Sequence, residues 1–409
     1  MNTERPALLV SYYADRKAAL IARSLLPAAG RVAAQPGVEV AFLRRHWKRG
    51  PHVRLITRGD PTACRAALDL LAPDITAYLA EHPSTEQLDE QAYLATSKQL
   101  GIAELELGPY APLRPDNTVQ AATLDATDSL LENTAVPGRE YLLHAARPVL
   151  TATLDRPGAG ERAGVDRGSP PLAGTAYGAP HSLVYRLLVL VAASYPDGIR
   201  RGFLSFLSHV KEFLLWSDRD GTIEGRFATA LARQRTTFLG LTQAVLADCV
   251  TGSPGPGTYH GHDPLLRQWA DWLDEAWSLG LELAEAELLN PFPDPKRGQR
   301  AATFGDDIAR RWAGRNDRPY SDFHQRHRQL NLEALNMGNE FSAYRLICNV
   351  VYELLPLLDV APIERYFLGY CLSEMAQQVI GDNWRDMIDR GIARQAAAGI
   401  APQSWDWPA

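Results

Sequence analysis

Two runs of alternating apolar and polar residues, "VEVAFLRRHW" and "HVRLITRGD", meet at the turn Gly50-Pro51. Period two is the strand period, and so short a connection leaves only an antiparallel hairpin. Upstream, "ALLVSYYA" is rich in β-formers and is followed by Asp15, a suitable N-cap for "RKAALIARSLLPAAGRVAA". Downstream, "PTACRAALDLLAPDITAYLAEH" is patterned as a helix, with Pro61 in the first turn where its missing N–H costs nothing. The order β-α-β-β-α predicts a half-open ferredoxin-like sandwich with its helices on one face. The next segment, "LGIAELELGPYAPLRPDNTVQ", alternates and then breaks on three prolines, so it reads as a strand running into an extended loop.

The same hairpin concentrates charge. Arg44, Arg45, His46, Lys48, Arg49, His52, Arg54 and Arg58 crowd into it, although the chain carries a net charge of -6. No second basic region extends a track, which argues against a nucleic-acid partner. Alternation puts Arg44 and His46 on one side of the first strand and Arg45 on the other.

At 409 residues the chain exceeds one ordinary core, and 46% hydrophobic with 22% charged residues is a globular composition. The four cysteines form no C-x-x-C pair, which suits a reducing compartment. "MNTERPALLVSYYADR" lacks the pattern of a signal peptide, and "LVYRLLVLVAASY" is too short and interrupted to span a membrane. A cytoplasmic protein with no membrane partner is expected. Residues 155–180 are dense in Gly, Pro and Ala and read as a mobile linker or lid. Beyond them the apolar residues keep helical spacing almost to the end. The expected class is α+β: a ferredoxin-like part over residues 1–125, a connecting segment over 126–180, and a helical catalytic part over 181–409.

Standard catalytic signatures are missing: there is no Walker loop, no G-x-G-x-x-G after a strand, no G-x-S-x-G and no H-E-x-x-H. His324 with His327, and His260 with His262, lack partners at metal-ligand spacing, so no metal is expected. The helix "EFSAYRLICNVVYELL" is more informative. Ser342, Arg345, Asn349 and Tyr352 fall at i, i+3, i+7 and i+10, a polar stripe on an otherwise apolar helix. Such a stripe faces solvent, lines a wet cavity or forms hydrogen bonds between helices. Tyr366 and Tyr370, with Ser373 and Glu374 after them, follow on the next helix. Ser205 and His209 are spaced i, i+4 without an orienting acid, which disfavours a nucleophilic triad. Glu104 and Glu106 would share one face of the expected strand.

The hairpin resembles the R-x-W-x-x-G-P-H-x-R-L segment of the thiopeptide-type bacteriocin maturation domain. That domain also forms the glutamate-eliminating C-terminal part of class I lanthipeptide dehydratases. "SFLSHVKEF" is similar to that family's S-x-x-S-H stretch, and "YRLICNVVYELLPLLDVAPIERY" resembles its late helix pair. Ile56 stands where the eliminating domains carry a second arginine, and Asn349 where they carry a histidine. The segment P-Y-x-P-L-x-P-D-N-T-V is similar instead to free-standing pyridine synthases of thiopeptide biosynthesis.

That resemblance implies a formal [4+2] cycloaddition of two dehydroalanines in a modified linear precursor peptide, with loss of water and the leader peptide. It implies no cofactor. Orientation of the two alkenes contributes about 7–11 kcal/mol in favourable cases, and proton donors and acceptors must shift one amide to its imidic acid. The catalytic set expected on this basis is Tyr344 and Tyr370 as donors, Asn349 and Arg345 as orienting groups, and Glu106 as base with Glu104 its equal rival. Ser342 and Tyr320 support them. Arg44, His46, His52, Arg54, Ser205 and His209 are expected to bind substrate or an acidic leader. The competing expectations are the elimination subunit of a split dehydratase and a non-catalytic leader-binding scaffold.

Overall fold

The computed structural model describes residues 3–125, 135–156, 179–251, 255–289, 295–312, 318–332, 334 and 338–402. Its N-terminal part starts with β1 (Glu4–Ser11) and α1 (Ala18–Leu20), which runs through a π-helical turn into α2 (Leu26–Ala33). The hairpin follows as β2 (Val38–His46) and β3 (His52–Gly59), then α3 (Pro61–Glu81), α4 (Glu90–Glu104) and β4 (Thr118–Asp125). The strand order is β2-β3-β1-β4, antiparallel throughout. This is the complete βαββαβ arrangement of a ferredoxin-like sheet.

The hairpin register pairs Arg44 with Arg54 and His46 with His52, so these four share one face of the sheet with Phe42 and Ile56. Asp60 caps α3, its carboxylate accepting from Ala63 N at 2.8 Å, with Pro61 at the first position.

Two expectations change. "LGIAE" is the end of helix α4, not a strand: Asp89 caps it from Ala92 N at 3.0 Å, and Leu105 closes it in the left-handed conformation. The sequence after it, "TVQ", is the start of β4 rather than loop, because β1 offers it a full antiparallel edge. Local alternation lost to a capped helix, and local prolines lost to a waiting strand.

Two short helices, α5 (Val136–Ala145) and α6 (Arg147–Leu154), lead out of the sheet. Helix α5 covers the free edge of β2, where Ala41 N donates to His144 Nδ1 at 3.1 Å. Most of the Gly/Pro-rich stretch at 155–180 lies outside the described residues.

The rest is helical: α7 (Ala179–Ala193), α8 (Ile199–Ser217), α9 (Thr222–Ala247) and α10 (Pro264–Glu285), with a ribbon of β5 (Cys249–Val250) and β6 (Thr258–Tyr259) before α10. Short α11 (Pro295–Ala302), α12 (Asp306–Trp312) and α13 (Asp322–His327) precede α14 (Gly338–Leu354), α15 (Pro362–Ile380) and α16 (Trp384–Ala397). The protein is α+β, 64% helical, with its four-stranded sheet near the N-terminus.

Helix α14 is the axis of this part. Close approach to α10 is possible because Gly280 has no Cβ; one would lie 2.9 Å from Ala343 Cβ. The helix is long and apolar enough to cross a membrane, yet 67% of that stretch is buried inside the protein, as befits a core helix. One hydrophobic core runs from Ala7 in the sheet to Ile388 in α16, so sheet and helices fold on each other.

Candidate functional site

The charge on the hairpin is mostly engaged within the molecule. Arg44 Nε reaches Glu353 at 2.8 Å, and the same carboxylate takes Arg139 at 3.0 Å. Arg45 donates to Asp359 at 2.6 Å and to Pro356 O at 2.9 Å. Asp359 also accepts from the backbone N–H groups of Lys17 and Ala18, the start of α1. Lys48 pairs with Glu106 at 2.8 Å, and Arg58 bridges Glu39 and Glu140. These pairs tie the sheet to α14 and the 3₁₀ turn after it.

The histidines are internal. His52 has no exposed surface; its Nδ1–H donates to Gly50 O at 2.8 Å while Arg54 Nε donates to its Nε2 at 3.2 Å. Burial, then the Arg54 cation, pushes its pKa down to about 3. His46 is likewise held well below its usual range by burial and by Arg54. His52 is buried and His46 half-buried, Arg44 is engaged by Glu353 and Arg54 by His52, so this part of the hairpin offers an acidic leader less free charge than its composition suggests.

The segment after α4 braces the hairpin tip. Tyr110 lies with its ring 5.8 Å from that of Trp47, Arg49 Nε donates to Pro112 O at 3.0 Å, and Arg114 Nη1 donates to Lys48 O at 2.7 Å. Trp47 Nε1 in turn donates to Glu104 at 2.8 Å. Glu104 keeps a side chain open to solvent. Protein atoms crowd its carboxyl, and this desolvation raises its pKa above the usual carboxylate range against the Trp47 hydrogen bond and the Arg365 and Arg44 cations. Of the two rival carboxylates, Glu106 is bound to Lys48 and Glu104 to Trp47.

The polar stripe of α14 is half-buried at Arg345, Asn349, Tyr352 and Glu353 between fully buried neighbours. Ser342, Arg345 and Asn349 line a cavity of about 20 Å³ with Arg139, room for about one water. The Ser342 hydroxyl donates to Gly338 O at 2.7 Å. One turn on, the Tyr352 hydroxyl and His209 Nδ1 share a 3.1 Å hydrogen bond. Burial, and after it Arg365 and Arg345, lowers the His209 pKa to about 3, so this imidazole is neutral. Burial holds Tyr352 protonated well above the ordinary phenol range. Arg365, from the first turn of α15, lies 4.8 Å over the Tyr352 ring and 4.7 Å over the Tyr366 ring.

A second polar cluster flanks the first along α8. Ser208 Oγ and His324 Nε2 are 2.9 Å apart, and His324 Nδ1 meets Ser321 Oγ at 2.7 Å. Glu212 lies 3.7 Å from the same ring and is held by Arg318 at 2.7 Å and Trp216 at 2.8 Å. Among the described residues no group of three His, Cys, Asp or Glu side chains gathers as a metal site.

The stripe residues Ser342, Arg345 and Asn349 thus come together, and His209 joins them through Tyr352. Tyr344 does not. It is 3% exposed, donates to Gly202 O at 2.9 Å and stacks on Trp277, so it is a packing residue facing the core rather than a reacting amide. Tyr370 sits one turn beyond Tyr366 against Phe227, with its pKa pushed up to about 12 by burial. Tyr320 is held between Arg318 and Arg328, their guanidinium carbons 4.5 and 4.4 Å from its ring centroid. Ser205 is hydrogen-bonded to the buried Cys348 thiol.

Sequence reasoning missed Arg365 and Trp47. Arg365 carried a usable signal, since a cation in the first turn of a helix sits at the unfavourable end of the dipole.

This architecture, a complete ferredoxin-like sheet bolted to a helical bundle with a polar seam between them, matches known proteins in two ways. Residues 8–126 match the family described as lantibiotic biosynthesis dehydratase C-term. In fold, the chain is similar to the pyridine synthase TbtD from thiomuracin biosynthesis, with a TM-score of 0.63 at 22% identity, over 92% of this chain and 99% of that one. It is also similar to TsrL, with a TM-score of 0.58 at 17% identity, over 95% of this chain and 99% of that one. No curated protein sequence matches.

Proposed function

We propose that the chain matures a ribosomally made peptide by joining two of its dehydroalanines into a pyridine ring, with loss of water and of the leader as an amide. The observation that carries this reading is that one cation, Arg365, acts on the Glu104 carboxyl, on His209 and on the Tyr352 ring, with Tyr352 and His209 hydrogen-bonded to each other. The ring closure needs an amide turned into its imidic acid, which is proton traffic between neutral partners. A carboxyl above its ordinary range and a phenol bonded to a neutral imidazole are groups of that kind. Asn349 and Arg345 orient the amide from the same stripe, and Ser342 shapes the cavity beside them.

The uncharged residues Ile56 and Asn349 favour ring closure over glutamate elimination. Ile56 is 4% exposed and belongs to the hydrophobic core, so this position offers no cation to a departing glutamate. The shared fold with a pyridine synthase over nearly the whole chain supports the same choice.

The test is incubation with a linear peptide bearing two dehydroalanines and its leader, followed by mass spectrometry. A product lighter by water and the leader amide is expected. Glutamate release from a glutamylated peptide would establish the elimination subunit, and tight leader binding without any mass change would establish a scaffold.

A further inference from the structure

Arg365 lies three residues after Pro362, the first residue of α15, where the helix dipole disfavours a cation. Its surroundings differ from those of the other arginines at the seam. Arg44 and Arg139 meet Glu353, and Arg45 meets Asp359. Among the described residues no carboxylate lies within 4.0 Å of Arg365, and its Nε is buried without a hydrogen-bond acceptor. Two tyrosine rings hold the guanidinium instead, Tyr352 at 4.8 Å and Tyr366 at 4.7 Å. Tyr366 is fixed from behind by Phe213, stacked at 3.9 Å and 9°. Aromatic faces satisfy the charge of a guanidinium but leave its N–H donors unmet. A planar donor is therefore held between the Tyr352 and Tyr366 rings and within electrostatic reach of Glu104 and His209.

We propose that Arg365 receives the carbonyl oxygen of the substrate amide that must tautomerise, and holds it between Tyr352 and Glu104. The inference rests on the ring-closing reading. As the amide becomes its imidic acid, the N–H bond breaks and its proton passes to the Glu104 carboxylate, while the Tyr352 hydroxyl gives its proton to the oxygen and takes back the one Glu104 received, so both groups end as they began. Amide and imidic acid differ only in which atom holds that proton, and negative charge grows on the oxygen in between. An arginine already oriented between two rings stabilises that charge without reorganising.

Two variants test it, Arg365→Met, which keeps length without charge, and Arg365→Lys. With the bis-dehydroalanine peptide, the Met variant is expected to lose at least about 100-fold in kcat with KM within about threefold. The Lys variant should recover part of that loss. Because the Arg365 cation lowers the Glu104 pKa, the acid limb of the pH profile should move up in the Met variant. A kcat within about fivefold of wild type, or an effect confined to KM, overturns the proposal.

A second measurement does not depend on turnover. In ¹⁵N-arginine-labelled protein, the Arg365 Nε–H signal, identified by its absence in Arg365→Lys, should shift when a peptide with alanines in place of both dehydroalanines is added. A silent signal overturns the proposal. If wild type makes no pyridine yet the signal shifts with this peptide, the ring-closing reading fails while carbonyl capture stands. A shift produced by free glutamate and not by the peptide overturns carbonyl capture in favour of a carboxylate.

Discussion

The Tyr352 hydroxyl lies 3.1 Å from His209 Nδ1 and joins α14 to α8 where the sheet, α8 and α15 converge. Since His209 is neutral, with a pKa of about 3, it orients the phenol rather than ionising it. Replacing Tyr352 by Phe should cut macrocycle formation by about 100-fold or more, the usual cost of losing a positioned proton donor. His209→Asn, which keeps a hydrogen-bonding group, should lose less. Single-turnover mass spectrometry reads both.

Glu104 gives a pH test with a definite sign. Desolvation of its carboxyl by nearby protein atoms raises its pKa and the Trp47 indole N–H lowers it, so Trp47→Phe removes the opposing influence. Acting as a base, Glu104 loses activity as pH falls through its pKa. The acid limb of the rate profile should therefore move to higher pH in Trp47→Phe, and Glu104→Gln should abolish it together with turnover. Glu106→Gln should keep turnover and move the limb slightly to lower pH, since the Glu106 charge is one of the influences that raise the Glu104 pKa.

Tyr344→Phe separates packing from chemistry. Its hydroxyl donates to the Gly202 carbonyl inside the core, where helix α8 passes so close to Ala192 O that Gly202 admits no Cβ. Losing that bond should cost about 1 kcal/mol of stability in urea denaturation and leave turnover nearly intact.

Acid should weaken the fold through its buried histidines. The folded-state pKa values of His52 and His209 are lowered to about 3, and those of His324 and His327 to about 4. An unfolded histidine binds its proton near pH 6.5, so between there and the folded value the unfolded state carries more protons. This contribution is fully present above about pH 6.5 and is lost as pH falls toward 4, by up to about 1.4 kcal/mol per pH unit for each histidine. Urea midpoints measured from pH 7 to 5 should fall accordingly, and less steeply in a His327→Phe variant, which keeps a ring for the stack on Phe323.

Much of the fold was legible in the sequence because its signals are local. Alternation around Gly50-Pro51 set the hairpin, and Pro61 sits in the first turn of the helix it starts. The period of α14 also exposed its polar stripe before any neighbour was known. The same locality misled at "AELELG", where two glutamates two apart mimic a strand but belong to the end of a capped helix and the turn after it.

The sequence by itself determined the antiparallel hairpin, the α+β class, the helical period of the late part and the stripe Ser342, Arg345, Asn349. Only the tertiary structure decided what the hairpin's charge is for. Ion pairing depends on distance in space, and the partners Glu353 and Asp359 lie about three hundred residues from Arg44 and Arg45 in sequence. It also turned Tyr344 inward, tied Glu106 to Lys48 and Glu104 to Trp47, and set Arg365 between two tyrosine rings. Each of those outcomes depends on which distant atoms surround a side chain, and desolvation of that kind has no signature in the residue's own neighbourhood along the chain.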